Sequence, residues 1–526
     1  MTMSDAYERD LVEGDSTTYE RTAASIVGVG ALAFAFSLAA LFELVSLDAT
    51  FVGLSLSNLL GLGTTVVGLG VVGLGVASYT GYVETTPDRS AGLVAAVLVG
   101  LLWFCVGGLV ASQTFGLGWF LWLPAGLLLG GVAAGVAVFL REDLGSTLAA
   151  GAFALLVGLV FLTNVIGPEW SWRPADFSAT FTPKIVVPFL TQTAVLVASW
   201  AAGKAYEGFG ARGRQTGAYM LIALNALGIL SVLVLLVAFV VSKGIGPLFE
   251  GFSVGASGLT WPFVQNGVQL TNDVDGVFPA IVGTFWLVVG SVVMAVPLAV
   301  GAAVFLTEYA EQGRFTQVVE LATNGLWSTP SIVFGLFGYA FLVPRFGNTT
   351  SLLSGMFVLA FMLIPLVLIT SREAINSVPD EYRDASAALG VSQWETIKSV
   401  VVPAAMPGVI TGVILGVGRI AGETAPILLV MSGSPFPSKR QAPDVLDITF
   451  AFTSNFPFVT GSFVNQEALL NSASALPYQL YAIITAGVGQ SEAFGWGTTL
   501  VLLLVVLSFY AVGIASRAYF RNKLRS

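Results

Sequence analysis

Two charged side chains, Arg419 and Glu423, lie inside an apolar stretch that also contains Thr424, in the sequence RIAGETAPILL at 419–429. A guanidinium group can bind an anion, and a carboxylate four residues later on a helix would share its face and hold it in place. Thr424 could add a hydroxyl hydrogen bond. We predict an oxyanion site at these three residues. The alternatives are an ion pair that only locks two helices and a threonine that only packs.

The residue inventory argues against several other kinds of chemistry. The chain has no His and a single Cys, Cys105, which excludes a His-dependent triad and an intrachain disulfide and argues against a zinc site. No G-x-x-x-x-G-K-[ST] phosphate loop occurs, because Gly203-Lys204 is followed by Ala205. We therefore expect a non-catalytic chain that binds no metal and no cofactor of its own.

The composition indicates that most of the chain is surrounded by membrane lipid. Of its 526 residues, 55% are hydrophobic and only 10% are charged, whereas soluble domains carry roughly 25% charged residues. The mean hydropathy is +0.85, and the net charge of −9 argues against a nucleic-acid partner. The composition predicts an all-α, polytopic membrane protein.

Twelve apolar runs are long enough to cross the hydrocarbon core, which requires about 20 helical residues. They are 23–46, 57–82, 91–112, 117–140, 147–166, 185–206, 216–241, 278–306, 318–343, 352–371, 407–432 and 494–516. Fifteen of the 22 Lys and Arg residues fall on the side that carries both chain ends, and six fall on the other. By the positive-inside rule, this bias predicts cytoplasmic N- and C-termini at the cell (plasma) membrane.

A polar segment separates the tenth run from the eleventh. It extends from Asp380 to Gly408 and interleaves charges with apolar and small residues, which is typical of an amphipathic helix. Gly390 predicts a sharp turn between two short helices, and Pro403 predicts the entry to the next span. The charge bias places this segment in the cytoplasm. An ordinary loop with an interfacial amphipathic helix is the alternative.

The spacing of this segment resembles the EAA loop of ABC-transporter membrane subunits. That loop has Glu-Ala-Ala, three residues, Gly, nine residues and Ile-x-Leu-Pro. Here Asp and Ser replace the Glu and the second Ala, and Val replaces Ile and Leu. The resemblance implies coupling helices that dock on a separate cytoplasmic ATPase subunit, where ATP and Mg would bind. The coupling residues that it implies are Asp384, Ala385, Ser386, Gly390, Val400 and Pro403.

Four further stretches lie in the second half of the chain, and they are FPAIVGTFWLVVGSVVMAVPLAVGAAVFLTEYA (278–310), STPSIVFGLFGYAF (328–341), RIAGETAPILL (419–429) and LPYQLY (476–481). In this order they resemble the PstA family of phosphate permeases. The resemblance covers 216–518 and implies a permease of an ATP-driven phosphate importer, with anion passage at the charged positions. It also implies PstB-like ATPase subunits, a second, PstC-like permease and an extracytoplasmic PstS-like phosphate-binding protein. Permeases for sulfate, molybdate or phosphonate, and the PstC position itself, are the alternatives.

These observations predict four parts of the chain. They are a cytoplasmic acidic tail (1–22), an accessory membrane domain of about six helices (23–206), a six-helix core of the type I ABC importer permeases (216–518, with the EAA loop at 380–403) and a cytoplasmic basic tail (519–526). The accessory half contains no second EAA pattern, so we expect one permease core rather than two fused permeases.

Three long outer loops, at 167–184, 242–277 and 433–493, are the expected dock for the binding protein. An alternative from a different class is a secondary transporter with twelve helices. Such transporters commonly contain two repeated halves, whereas the halves of this chain look unlike each other.

Overall fold

The computed structural model describes residues 17–51, 53–174, 178–255, 258–268, 274–311, 313–446, 449–452, 459–486 and 492–523. Parts of all three predicted outer loops, most of the predicted N-terminal tail (1–16) and the last three residues of the C-terminal one (524–526) lie outside these ranges. The described secondary structure is almost entirely helical, which confirms the predicted fold class, and its few strands form two-stranded antiparallel hairpins. The chain divides into two compact units, 1–239 and 240–526.

The described residues of the first unit form helices that are long and apolar enough to cross a membrane. They are α1 (Thr18–Leu41), α2 (Leu56–Tyr79), α3 (Leu93–Leu109, continued by a π-helical turn at Val110–Thr114), α4 (Trp119–Phe139), α5 (Glu142–Leu162), α6 (Pro183–Tyr206) and α7 (Gly210–Leu248), whose last turns belong to the second unit. The hairpin of β1 (Thr50–Phe51) and β2 (Leu54–Ser55) precedes α2.

Helices α2 and α5 pack closely because glycines face each other across their contact. A Cβ atom on Gly68 would lie 2.8 Å from the carbonyl oxygen of Gly151, and a Cβ atom on Gly151 would lie 2.8 Å from that of Gly68. In lipid, helices associate through such close van der Waals contacts, since exclusion of water contributes little there. These glycines therefore serve helix packing.

A buried cluster of charges joins α5 and α6 at one end of the first unit. Oε1 of Glu142 lies 2.8 Å from Nζ of Lys204, and both side chains are buried. Oε2 of Glu142 accepts hydrogen bonds from the backbone N–H groups of Asp88 and Gly210, each at 2.9 Å. Lys204 also donates to Oγ of Ser146 at 2.8 Å. The segments that meet here are ones that the charge bias predicts to share one side of the membrane.

The described part of the second unit contains a short 3-10 helix at Lys439–Gln441 and further helices. They are α8 (Pro262–Gln265), α9 (Phe278–Val304, continued by a π-helical turn at Phe305–Tyr309), α10 (Arg314–Ser328), α11 (Ser331–Phe337, continued by Gly338–Leu342 and Val343–Phe346), α12 (Leu352–Asn376), α13 (Asp380–Ala388), α14 (Gln393–Thr396, continued by a π-helical turn at Ile397–Val401), α15 (Val402–Ala421), α16 (Ala425–Val430), α17 (Gln466–Leu470), α18 (Leu476–Ala486) and α19 (Glu492–Lys523). Two hairpins pair β3 (Ser253–Gly255) with β4 (Gly258–Thr260) and β5 (Thr449–Phe452) with β6 (Val459–Ser462).

Helix α12 lies in the core of the second unit and packs against α9 and α15. Leu359 and Leu363 on α12 are fully buried, and Leu287 of α9 belongs to the same cluster. The hydroxyl of Ser291 on α9 donates to the carbonyl oxygen of Met356 on α12 at 3.0 Å. Such an interhelical hydrogen bond adds to the close packing that holds membrane helices together, so α9 and α12 form one packed pair.

The described residues contain eleven helices able to span a membrane, or twelve if one bent pair counts as a span. This agrees with the twelve predicted runs, but the ninth run is not one straight helix. It corresponds to α10 and α11, which meet at a bend of 102°. Thr329 is extended, with ψ of 130°, and Pro330 follows. A proline restricts the residue before it to extended backbone, which explains the bend.

The eleventh run also differs from the prediction of one span over 407–432. Its helix is continuous from Gln393 but ends at Ala421, and the separate α16 begins at Ala425. Pro426 has no N–H to donate to the carbonyl oxygen of Gly422, and its ring would clash with that carbonyl in a continuous helix. Arg419 and Glu423 therefore do not share the face of one helix, and that part of the prediction is wrong.

Candidate functional site

The polar segment folds into two short helices, α13 and α14, joined by a turn; we call residues 380–401 the hairpin. Helix α13 follows Pro379 and has Asp380 in its first turn, where a negative charge is favourable. Gly390 has φ of +73°, a conformation that glycine adopts readily and that strains most residues with a Cβ atom. Ser392 then caps α14 by accepting a hydrogen bond from the N–H of Glu395. The prediction of a turn at Gly390 between two short helices is confirmed.

One face of the hairpin carries solvent-exposed apolar side chains. Leu389 is 83% exposed and Trp394 is 58% exposed, whereas Ile397 and Val401 at the base are buried. Among the predicted coupling residues, the exposed ones are Asp384, Ala385 and Gly390, the buried one is Ser386, and the partly buried ones are Val400 and Pro403. Within the described residues, the hairpin thus presents an uncovered apolar surface.

A groove of about 410 Å³ lies between the base of the hairpin and the end of α12. Val378 and Tyr382 line one side of it, and Val400 and Pro403 line the other. Pro403 lies in the first turn of α15, as predicted, although the helical backbone already begins at Gln393. Two of the predicted coupling residues therefore face a space that is open to solvent.

The hairpin is attached to α9 through residues that the sequence interpretation did not single out. Nη2 of Arg383 donates to Oε1 of Glu308 at 2.7 Å, and Nε donates to Oε2 at 3.3 Å. This contact with Glu308, in a partly buried position, raises the pKa of Arg383 above its ordinary value. Nε2 of Gln393 donates to the backbone carbonyl oxygen of Glu308 at 2.7 Å. The charged residues at the end of α9 are visible in the sequence, but they do not show that Glu308 pairs with Arg383.

The predicted oxyanion site lies where α15 ends. Arg419 is in the last turn of α15, where the helix dipole favours a cation, and Glu423 follows the end of the helix. Nε of Arg419 lies 3.8 Å from Oε1 of Glu423, which is too long for a hydrogen bond. Their side chains are 33% and 16% exposed. In the part of the chain that the structure describes, the Arg419 guanidinium donates no hydrogen bond and so keeps its donors available.

Trp327 is a further member of this site. Cζ of Arg419 lies 5.0 Å from the centre of the Trp327 ring, within the range of a cation–π contact. Trp327 is at the end of α10, next to the bend at Pro330, so the bend places the ring beside Arg419. Thr424 precedes α16 without capping it through its side chain. No group of three or more side chains that could hold a metal ion occurs among the described residues.

Comparison with known proteins identifies the kind of chain that carries these sites. The family model described as "Binding-protein-dependent transport system inner membrane component" matches residues 295–526. This chain is 32% identical over 256 residues to the "Probable ABC transporter permease protein YqgI" of Bacillus subtilis, covering 48% of this chain and 82% of that one. The chain belongs to this family of transport permeases.

The permease is also similar to relatives with a more specific name. The "Phosphate transport system permease protein PstA" of Haemophilus influenzae is 36% identical over 189 residues, covering 36% of this permease and 67% of the relative. "PstA 1" of Mycobacterium tuberculosis H37Rv is 31% identical over 255 residues, with 48% and 73% covered. A solved structure of the MetNI methionine ABC transporter, facing inward, matches at 15% identity with a TM-score of 0.34, which is too low to support a structural conclusion.

The family match begins at residue 295, inside α9, and includes both the hairpin and Arg419. The first unit of the permease lies outside it. Members of this family are membrane subunits of transport systems and not catalytic subunits. The hairpin and the Arg419 site therefore lie in the part of the chain to which the family assignment applies.

Proposed function

We propose that this permease is a membrane subunit of an ATP-driven importer of inorganic phosphate. The observation that carries the proposal is the hairpin, which has the spacing of an EAA loop and presents Leu389 and Trp394 uncovered between α12 and α15. Exposed apolar residues grouped on a rigid helical element are typical of a surface that binds another protein. The similar relatives named as phosphate permeases indicate the substrate.

The proposal includes partners that supply what this chain lacks. ATPase subunits of the PstB kind would bind ATP and Mg and hold the hairpin in a groove. A PstC-like permease would complete the pore, and a PstS-like binding protein would deliver phosphate to the outer loops. The distribution of Lys and Arg supports a cytoplasmic hairpin and cytoplasmic chain ends at the cell membrane.

Within this importer, Arg419 would attract the anion during its passage. Its guanidinium group is positively charged, donates no hydrogen bond within the described residues, and lies 5.0 Å from the centre of the Trp327 ring and 3.8 Å from the Glu423 carboxylate. Charge-assisted hydrogen bonds to a guanidinium group suit the oxygen atoms of phosphate. Sulfate, molybdate and phosphonate offer similar oxygen atoms, so competition between these anions tests the substrate assignment.

The test is uptake of radioactive phosphate by proteoliposomes that contain the permease with its ATPase, second permease and binding protein. We expect uptake that requires ATP and Mg and that excess sulfate does not suppress. Leu389→Asp should abolish co-purification of the ATPase, because it places a charge on the docking surface. Leu259→Asp is the matched control, since Leu259 is also exposed but lies on β4.

Two results would contradict the proposal. Uptake driven by an ion gradient without ATP would show a secondary transporter. Normal co-purification of the ATPase with Leu389→Asp would show that the hairpin is not the docking surface. Preferential uptake of sulfate, molybdate or phosphonate would instead correct the substrate alone.

A further inference from the structure

The hairpin is covalently joined to only two membrane helices, α12 before it and α15 after it. Its strongest polar contacts, however, go to a third helix, α9, which lies far away in the sequence. Both short helices of the hairpin contribute, because Arg383 belongs to α13 and Gln393 belongs to α14. Both side chains contact the same residue, Glu308.

The contact at Glu308 fixes both the distance and the orientation between the hairpin and the end of α9. The Arg383–Glu308 pair is bidentate, and the Glu308 side chain is only 7% exposed. Bidentate pairs of this kind fix orientation as well as distance. Arg383 is itself held by the carbonyl oxygen of Val378, to which Nη1 donates at 2.9 Å, and by Asp380, whose Oδ1 lies 3.1 Å from Nη1.

The backbone at the end of α9 provides the acceptor for the hydrogen bond from Gln393. Its last turn, Phe305–Tyr309, is π-helical, and the chain becomes extended at Ala310. The carbonyl groups at the end of a helix have no partner within that helix. The carbonyl oxygen of Glu308 is one of these, and the side chain of Gln393 satisfies it. Glu308 therefore accepts both an ion pair through its side chain and a hydrogen bond through its main-chain carbonyl group.

We infer that Glu308 is a coupling residue, through which movement of the hairpin is transmitted to α9. This inference rests on the proposed function, because it requires an ATPase that moves the hairpin. Since α9 packs along α12 and bonds to it through Ser291, a displacement at Glu308 moves the end of a packed helix pair. Glu308 touches neither the substrate nor the nucleotide, so it acts by positioning.

The experiment uses the complete importer and measures phosphate transported per ATP hydrolysed. Glu308→Gln should leave the ATPase bound and hydrolysing ATP, but it should lower this ratio about fivefold or more, because the neutral amide loses the charge-assisted pair with Arg383. Gln393→Ala removes only the hydrogen bond to the Glu308 carbonyl oxygen and should lower the ratio of transport to hydrolysis less. Glu308→Asp, which keeps the negative charge that faces Arg383, should retain at least half of the ratio.

A matched control comes from Glu320→Gln. Glu320 on α10 pairs with Arg372 on α12 at 2.7 Å, so this ion pair has similar length in the same unit but does not involve the hairpin. We expect its ratio of transport to hydrolysis to stay normal.

The outcomes separate this inference from the proposed function. If Leu389→Asp releases the ATPase while Glu308→Gln keeps a normal ratio, the inference about Glu308 is overturned and the proposed function stands. An equal effect of Glu320→Gln, or an equal loss in Glu308→Asp and Glu308→Gln, would also overturn it, since either would show that the loss does not depend on the charge at Glu308. If Leu389→Asp keeps the ATPase bound, the proposed function itself fails.

Discussion

In the first unit, Lys204 and Glu142 are both buried and their charged atoms lie 2.8 Å apart, whereas in the second unit Arg419 and Glu423 are partly exposed and lie 3.8 Å apart. The buried pair has further partners in Ser146 and two backbone N–H groups. A buried charge must be paired, because leaving it without a partner is very costly. A partly exposed charge that keeps its donors available can instead bind a ligand. The first pair thus holds helices together, and for the second we propose a part in the passage of an anion.

The largest effect is expected from breaking the buried pair of Lys204 and Glu142. Lys204→Met leaves the buried Glu142 carboxylate with only Arg214 nearby, at 3.8 Å, which should lower the free energy of unfolding by about 3 kcal/mol. Thermal unfolding of the purified permease in detergent measures this. Lys184→Met is the matched control, because Lys184 also pairs with a Glu at 2.8 Å but is 71% exposed. We expect its stability to stay close to that of the unchanged permease.

A double variant distinguishes pairing from general packing. When Glu142→Gln is combined with Lys204→Met, no uncompensated charge remains and the amide oxygen can still accept from the backbone N–H groups of Asp88 and Gly210, so most of the lost stability should return. If the double variant is less stable than the single one, the cluster stabilises the unit through packing rather than through charge.

The next largest effect concerns Arg419. Arg419→Gln should lower phosphate uptake about tenfold to a hundredfold, since hydrogen bonds to a charged group contribute about 1.5–3 kcal/mol. Its thermal stability should change little, in contrast to that of Lys204→Met. The measurement is initial uptake at several phosphate concentrations. Arg345→Gln serves as control, because Arg345 also lies over an aromatic ring, that of Phe341. A loss of stability without a loss of uptake would show that Arg419 is structural.

These sites differ in how far the sequence predicted them. The turn at Gly390 follows from the residue itself, and the apolar runs follow from composition, so both were predictable. The end of α15 was not, because Gly422 and Pro426 lie within an apolar stretch that hydropathy treats as one span. The contact between Arg383 and Glu308 joins residues 75 positions apart, so it depends on tertiary packing.

A smaller effect on phosphate uptake is expected from changing Trp327, which lies beside Arg419. If the ring orients Arg419, Trp327→Ala should raise the KM for phosphate a few-fold, in line with the ~0.5–1 kcal/mol of an exposed cation–π contact. Trp327→Phe keeps an aromatic face and should retain most of the affinity. The same uptake assay measures both variants. Equal losses in the two would indicate that the indole fills space instead of orienting the cation.

The smallest effect has the opposite sign and tests the role of Glu423. Because Glu423 lies near Arg419 without a hydrogen bond, it partly offsets the positive charge that a phosphate ion would meet. Glu423→Gln should therefore lower the KM for phosphate by up to about fivefold, since partly exposed pairs contribute about 0.2–1 kcal/mol. Maximal uptake should fall at the same time if tighter binding slows release. A raised KM would mean that Glu423 holds Arg419 in its binding position, and the Arg419–Glu423 pair would then resemble Lys204 and Glu142 more than the distances suggest.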